Sequence, residues 1–272
     1  MMRNRTRNHN KTRLLAMAVL LVASLSVYAQ SDSIRKKPAK LTERRGMLGL
    51  SHTDILDTYL SQETFKGTEL RYISQIQRQR IGSKVSSEVT HHIILSSAGT
   101  RGNNNSLLTA MYNFRMGWHY NWQLPDPNIK FKVGGLIDGT LGGSYNTRNS
   151  NNPAQARIAL SIDPSAKVSW AFRIKEHPFA LNYEMAMPLI GLAFSPNYGQ
   201  SYYEIFSEGN YDHNIVVTSP FSGPQLQMRL TLDFRLWRST FFVGYLGDIR
   251  QMEVNNLKYH QFSHGVVLGW KY

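Results

Sequence analysis

The sequence predicts an all-β chain that closes as an antiparallel transmembrane β-barrel of about ten strands, with eight or twelve as alternatives, after a cleaved signal peptide. Three observations point there. Long stretches alternate apolar and polar residues with period two. After the N-terminal leader, no segment has 18 apolar residues in a row. The chain ends on an aromatic residue that closes an alternating apolar series.

The leader comes first. Arg3, Arg5, Arg7, Lys11 and Arg13 form a positive region, Leu14 to Val27 an apolar one, and Val27-Tyr28-Ala29 a peptidase site, so cleavage is expected between Ala29 and Gln30. The expected organisation is a signal peptide at 1–29, a flexible periplasmic segment at 30–44 and the barrel at 45–272. The whole chain of 272 residues has a net charge of +13 and no cysteine. That excludes a disulfide scaffold and a lipidated N-terminal cysteine. Without the leader the excess falls to +8. Secretion argues against nucleic acid as the partner of that charge, and anionic lipopolysaccharide is the more natural one.

Ten strands are expected, at 46–54, 68–80, 85–98, 106–123, 129–145, 154–174, 179–194, 223–236, 240–254 and 259–272. The fourth is typical: Leu108, Ala110, Tyr112, Phe114, Met116, Trp118, Tyr120 and Trp122 alternate with Thr109, Met111, Asn113, Arg115, Gly117, His119, Asn121 and Gln123. Such a run exceeds the roughly 5–6 residues of a soluble strand and suits the ~9–11 a tilted membrane strand needs. The apolar set then faces lipid and the polar set a lumen. The sixth strand is expected to run through Asp163-Pro164-Ser165, because its register continues unbroken. The tenth ends Phe262, His264, Val266, Leu268, Trp270, Tyr272, and Trp270 and Tyr272 form the expected signal for the barrel-assembly machinery.

An even strand count puts both termini in the periplasm. The short connections 81–84, 124–128, 175–178 and 237–239 then fall on that side, and the others, including the long 195–222, fall outside. Trp118, Trp122, Trp170, Trp237 and Trp270 gather at the periplasmic strand ends as an aromatic girdle. The expected location is therefore integral to the outer membrane of a Gram-negative cell, among its lipid and lipopolysaccharide.

Three blocks carry a resemblance. Leu56-Asp57-Thr58-Tyr59-Leu60-Ser61, Phe194 to Phe206, and Gly244 to Gln251 followed by Asn255-Asn256-Leu257-Lys258 and His260, resemble the small outer-membrane proteins grouped as domain of unknown function 3316. The resemblance implies a barrel and names no activity.

The expected role is structural, surface-binding or limited permeation; the alternative is an outer-membrane enzyme acting on lipid or peptide. Asp57, Ser201, Glu204, Asp212, His213, Asp248 and His260 are chemically able, but no Gly-x-Ser-x-Gly or His-Glu-x-x-His spacing ties them together. No catalytic residue, metal ligand or cofactor is assigned. His91 and His92 are neighbours on a strand and point to opposite faces. The lumen, bearing Asn113, Arg115, His119, Lys130, Lys132, Glu184, Arg229, Asp233, Arg235, Asp248 and Arg250, is expected to be plugged by ion pairs rather than open. A candidate site lies at the extracellular rim, where Asp57, Tyr59, Tyr198, Gln200, Tyr202, Tyr203, Glu204, Asp248, Arg250, Gln251 and Asn255 are expected to converge, either packing as a cap or binding a saccharide or lipopolysaccharide headgroup.

Overall fold

A computed structural model describes residues 39–102, 104–150 and 152–272. The leader, with its Ala29/Gln30 cleavage point, lies outside the described residues. From Lys40 onward the chain is almost entirely strand: β1 (Lys40–Asp57), β2 (Thr64–Arg80), β3 (Val85–Gly99), β4 (Ser106–Gln123), β5 (Ile129–Asn146), β6 (Ala154–Ile174), β7 (His177–Ala186), β8 (Ile190–Phe194), a single helical turn α1 (Tyr202–Phe206), β9 (Ile215–Thr218), β10 (Leu226–Leu236), β11 (Ser239–Val254) and β12 (Leu257–Lys271).

Each strand from β1 to β7 pairs antiparallel with the next; β7 pairs with β10, then β10 with β11, β11 with β12, and β12 with β1. The sheet closes as a ten-stranded ring, so its full-length strands are paired on both sides for most of their length. Closure requires tight bending. A Cβ on Gly134 would stand 1.9 Å from the Trp118 carbonyl oxygen, so only glycine lets β5 approach β4 there. Two-residue turns join β6 to β7, β10 to β11 and β11 to β12. In the last, Asn255 and Asn256 both take positive φ (52° and 59°), the backbone a type I′ hairpin requires and asparagine tolerates.

Alternation resolves into two surfaces. On β4 the even positions Leu108, Tyr112, Met116, Trp118, Tyr120 and Trp122 are exposed outward, while Leu107, Thr109, Met111, Asn113 and His119 are buried in the bore. Outward tryptophans cluster with other rings at the end that holds the short turns: Tyr120 lies 5.1 Å from Trp122, and Trp170 lies 4.8 Å from Phe172. This turn end also holds the start of β1 and the close of β12, where the Tyr272 amide donates to the Arg44 carbonyl. The longer connections occupy the opposite, loop end.

Three features depart from the sequence reading. β1 starts at Lys40, inside the stretch 30–44 expected to be flexible, and Lys40 to Leu56 pair with β2. The expected strand 179–194 is divided. β6 runs through Pro164 as anticipated, but its partner changes register there, so Asp163 and Pro164 face three residues, Met187-Pro188-Leu189. That bulge absorbs a proline with no amide to give the ladder. Finally, the expected loop 195–222 contains β9, which pairs with β8, and residues 219–225 then swing out before β10 begins. Among the described residues the second edge of β9 pairs with no strand, and Arg250 to Val254 of β11 pair only with β12.

Candidate functional site

The bore is filled. At its centre Arg71, 1% exposed, is held by Glu69 and by Asp248 at 2.8 Å, and Asp248 also binds Arg250 at 3.0 Å. Gln261 donates to Glu69 at 2.8 Å. Nearer the turn end, Glu184 takes Arg229 at 2.6 Å and Lys167 at 3.1 Å, and Lys167 also meets Glu88. Arg115 binds Asp138 at 2.6 Å. Two apolar clusters accompany this network: Met47, Ile73, Phe242, Leu246 and Val267, and, towards the loop end, Ile55, Leu60, Phe65, Ala98, Leu107 and Tyr259. Sequence reasoning missed both, because these side chains sit on the face that elsewhere is polar. In Tyr245-Leu246 and Val266-Val267 the two faces are apolar together, and that local loss of alternation was the available signal.

Above the plug, three distant segments meet at the loop end. Ser201 caps α1: its hydroxyl accepts the Glu204 amide at 3.2 Å, and the Glu204 carboxylate accepts the Ser201 amide at 2.6 Å. Those hydrogen bonds hold the Glu204 carboxyl below its usual range. The turn presents Tyr202 downward, where its hydroxyl donates to Gln155 at 3.0 Å and accepts the Ala156 amide at 2.6 Å. Its ring meets Tyr59 edge-on at 5.9 Å. The Tyr59 hydroxyl in turn donates to the Gln200 carbonyl at 3.0 Å. Burial pushes both phenols up, so neither is a base near neutral pH.

The Gln200 amide ties the loop to itself, accepting from Asn214 at 2.7 Å and donating to the Asn210 carbonyl at 3.0 Å. Asn255 reaches across from the β11–β12 turn to the His213 and Ser195 carbonyls. Asp57 closes β1, is 2% exposed and takes the guanidinium of Arg157, which also lies 3.5 Å over the Tyr259 ring. Asp57, Tyr59, Gln200, Tyr202, Glu204 and Asn255 thus share one assembly. Asp248 and Arg250 lie deeper, in the bore, and Gln251 is half-buried beside it.

Tyr198 and Tyr203 are 69% and 66% exposed on top of the cap, with Phe206 and Tyr211 similarly bare. Sequence reasoning placed neither of the last two at the rim: Phe206 entered only as the end of a block that carries the resemblance, and Tyr211 lay in a stretch read as loop. Of the chemically able residues, Ser201 and Glu204 are spent on the cap, Asp212 and His213 pair in solvent at 2.7 Å, and His260 is exposed on the alternate face of β12. No nucleophile, base and orienting group come within reach of one another in these contacts.

Residues 13–271 match the model of a family described as "Protein of unknown function (DUF3316)". No curated protein matches the sequence. Among solved structures, the chain is similar to the outer membrane protease OmpT from Escherichia coli (8% identity, 89% of this chain and 99% of that one, TM-score 0.43). It is also similar to the transport unit of the autotransporter AIDA-I from Escherichia coli (8%, 90% and 93%, TM-score 0.43) and to the translocator domain of the autotransporter NalP from Neisseria meningitidis (8%, 97% and 98%, TM-score 0.38).

Proposed function

The chain belongs to the DUF3316 family, and from that premise we propose that it is an integral outer-membrane barrel, closed to flow, that binds at its loop end. The observation that carries this reading is the bore itself: Arg71 is buried between Glu69 and Asp248 at mid-height, and apolar clusters fill the space around that network. A conducting pore needs a continuous aqueous path. Here ion pairs and packed side chains occupy it. The outward apolar belt and the ring cluster at the turn end support immersion in a bilayer, with lipid and lipopolysaccharide as its surroundings. β12, which closes the ring and carries Trp270 just before the terminal Tyr272, is the segment proposed to engage the assembly machinery during insertion.

Short turns on one side and long connections on the other support a periplasmic turn end and an extracellular cap. The exposed rings of Tyr198, Tyr203, Phe206 and Tyr211 then face outward from the cell, where flat aromatic faces stack on sugars. A saccharide or lipopolysaccharide headgroup is the proposed ligand class.

Purified barrel reconstituted in planar bilayers tests the closure. No stepwise conductance is expected; sustained single-channel steps from the wild-type protein would remove the plug reading. Orientation is read separately on whole cells. Tyr203→Cys, in a chain with no cysteine of its own, should react with a membrane-impermeant maleimide while the outer membrane is intact. Reaction only after the membrane is broken means that the cap faces the periplasm.

A further inference from the structure

The break in the wall lies between β9 and the outer part of β11. Among the described residues β9 pairs only with β8, and the chain then leaves the sheet for residues 219–225, touching β11 through the Glu253 amide on the Ser222 carbonyl. The outward side chains here are apolar: Leu192 is 47% exposed, Val217 65% and Phe221 fully. An open strand edge and irregular backbone are not tolerated against hydrocarbon, because their amides and carbonyls find no partners there; they persist only where they line a polar cavity.

A cavity of mixed lining, with polar groups among Met111, Ile158, Pro188 and Phe194, lies directly behind the break. It measures about 90 Å³ and is bordered by Ala193, Thr218, Gln227 and Gln251 on the wall side and by Arg157 and Arg250 on the bore side. Both arginines are more than nine-tenths buried. Arg157 spends one terminal nitrogen on Asp57, while its Nε is buried without a partner. Arg250 gives Nε and Nη2 to Asp248, while its Nη1 has only the Met111 thioether, a weak acceptor, at 3.7 Å. The carboxylate that borders the same space, Asp138, is already engaged by Arg115 and Asn113. The cavity therefore offers guanidinium donors that the protein does not satisfy, next to an opening flanked by apolar side chains.

We infer that this break is a lateral portal that takes a long-chain fatty acid from the surrounding bilayer, its carboxylate on Arg157 and Arg250 and its chain trailing outward over Leu192, Val217 and Phe221. The inference rests on the membrane reading above. Placement selects the head: Arg157 and Arg250 border one and the same cavity, so a single small anion can face both. Charge selects it too, since a planar anion accepts two guanidinium hydrogen bonds where an alcohol or amide accepts one weakly.

The test uses a photoreactive palmitic acid analogue and the purified full-length barrel in phosphatidylcholine vesicles. Mass-spectrometric mapping should place the label on residues 188–194 and 215–227, saturably, and the amide of the same chain should label about tenfold less, as loss of a charge-assisted hydrogen bond implies. Ala193→Trp fills the cavity and should abolish the localised label in protein that still shows heat-modifiable gel mobility. Arg157→Gln should weaken labelling by about tenfold. Should Ala193→Trp fail to fold, the wild-type map and the acid-to-amide ratio decide alone. Label spread evenly round the belt, or localised equally well from acid and amide, overturns the portal. A chain that does not co-float with the vesicles fails the membrane reading itself, and the portal with it.

Discussion

Asp248→Ala is expected to destabilise the folded barrel by about 3–5 kcal/mol, the usual cost of stripping one partner from a buried ion network. The carboxylate is 1% exposed and accepts from Arg71 Nη1 at 2.8 Å, Arg250 Nη2 at 3.0 Å and Arg250 Nε at 3.2 Å. Its removal leaves two guanidinium ions close together, Arg71 with Glu69, already shared with Gln261 and Ser263, and Arg250 stripped of the carboxylate that takes its Nε and Nη2. Asp248→Asn keeps the volume and one acceptor but no charge, so its cost should fall between wild type and alanine. The readout is the urea midpoint for loss of the folded gel band in lipid vesicles, with tryptophan fluorescence as a second probe. A cost under about 1 kcal/mol for alanine would mean that water reaches the arginines freely, and the closed-bore reading would fall with it.

Why the ring was legible and its interior was not follows from what surrounds each face. Outward positions on β4 and β10 are apolar without exception over many residues because one continuous solvent lies against them, and one solvent writes one rule into the sequence. Inward positions answer to neighbours instead. Arg71 needs Glu69 and Asp248; Phe65 needs Ile55 and Leu107. Those partners come from distant strands, so which inward residue is charged and which is apolar depends on the shear of the closed ring, and no local period records it. The same holds at the wall. Met187-Pro188-Leu189 continues an apolar run that reads as strand, and only the register change on β6 exposes the bulge. Lys40 to Arg44 fall in the stretch that reads as linker, yet they pair with β2, and Glu43 binds the buried Arg45.

At the loop end the same distinction applies. Parity alone puts Asp57, Tyr59, the 197–214 segment and Asn255 at one end of the barrel. The contacts that join them, Tyr59 on the Gln200 carbonyl and Asn255 on the His213 carbonyl, depend on side-chain to backbone bonds within an irregular loop. Such bonds have no period. The capping box Ser201-x-x-Glu204 is the exception, a local motif visible in sequence that does form, and it marks where the loop turns back towards the barrel.

Leu230→Arg should cost about 2–4 kcal/mol in a bilayer, the range for a cation on the lipid face near the midplane. Leu230 sits in the middle of β10, 40% exposed, between Tyr183 of β7 and Tyr245 of β11. From sequence alone, Thr231→Arg next to it is expected to be the milder change, since a lumenal position tolerates charge. The structure alters that ranking: Thr231 is 1% exposed and packed on Asn182, so an arginine there overfills the bore at about 1–3 kcal/mol. Magnitude therefore separates the two faces poorly, and bilayer thickness separates them well. Lengthening the lipid chains buries Leu230→Arg further from either interface and should raise its cost, whereas the penalty for Thr231→Arg arises inside the protein and should stay flat. Folding titrations in vesicles of short-chain and long-chain phosphatidylcholines measure both. Costs that rise in parallel, or a Leu230→Arg cost that ignores thickness, would mean that the outward face of β10 does not meet lipid.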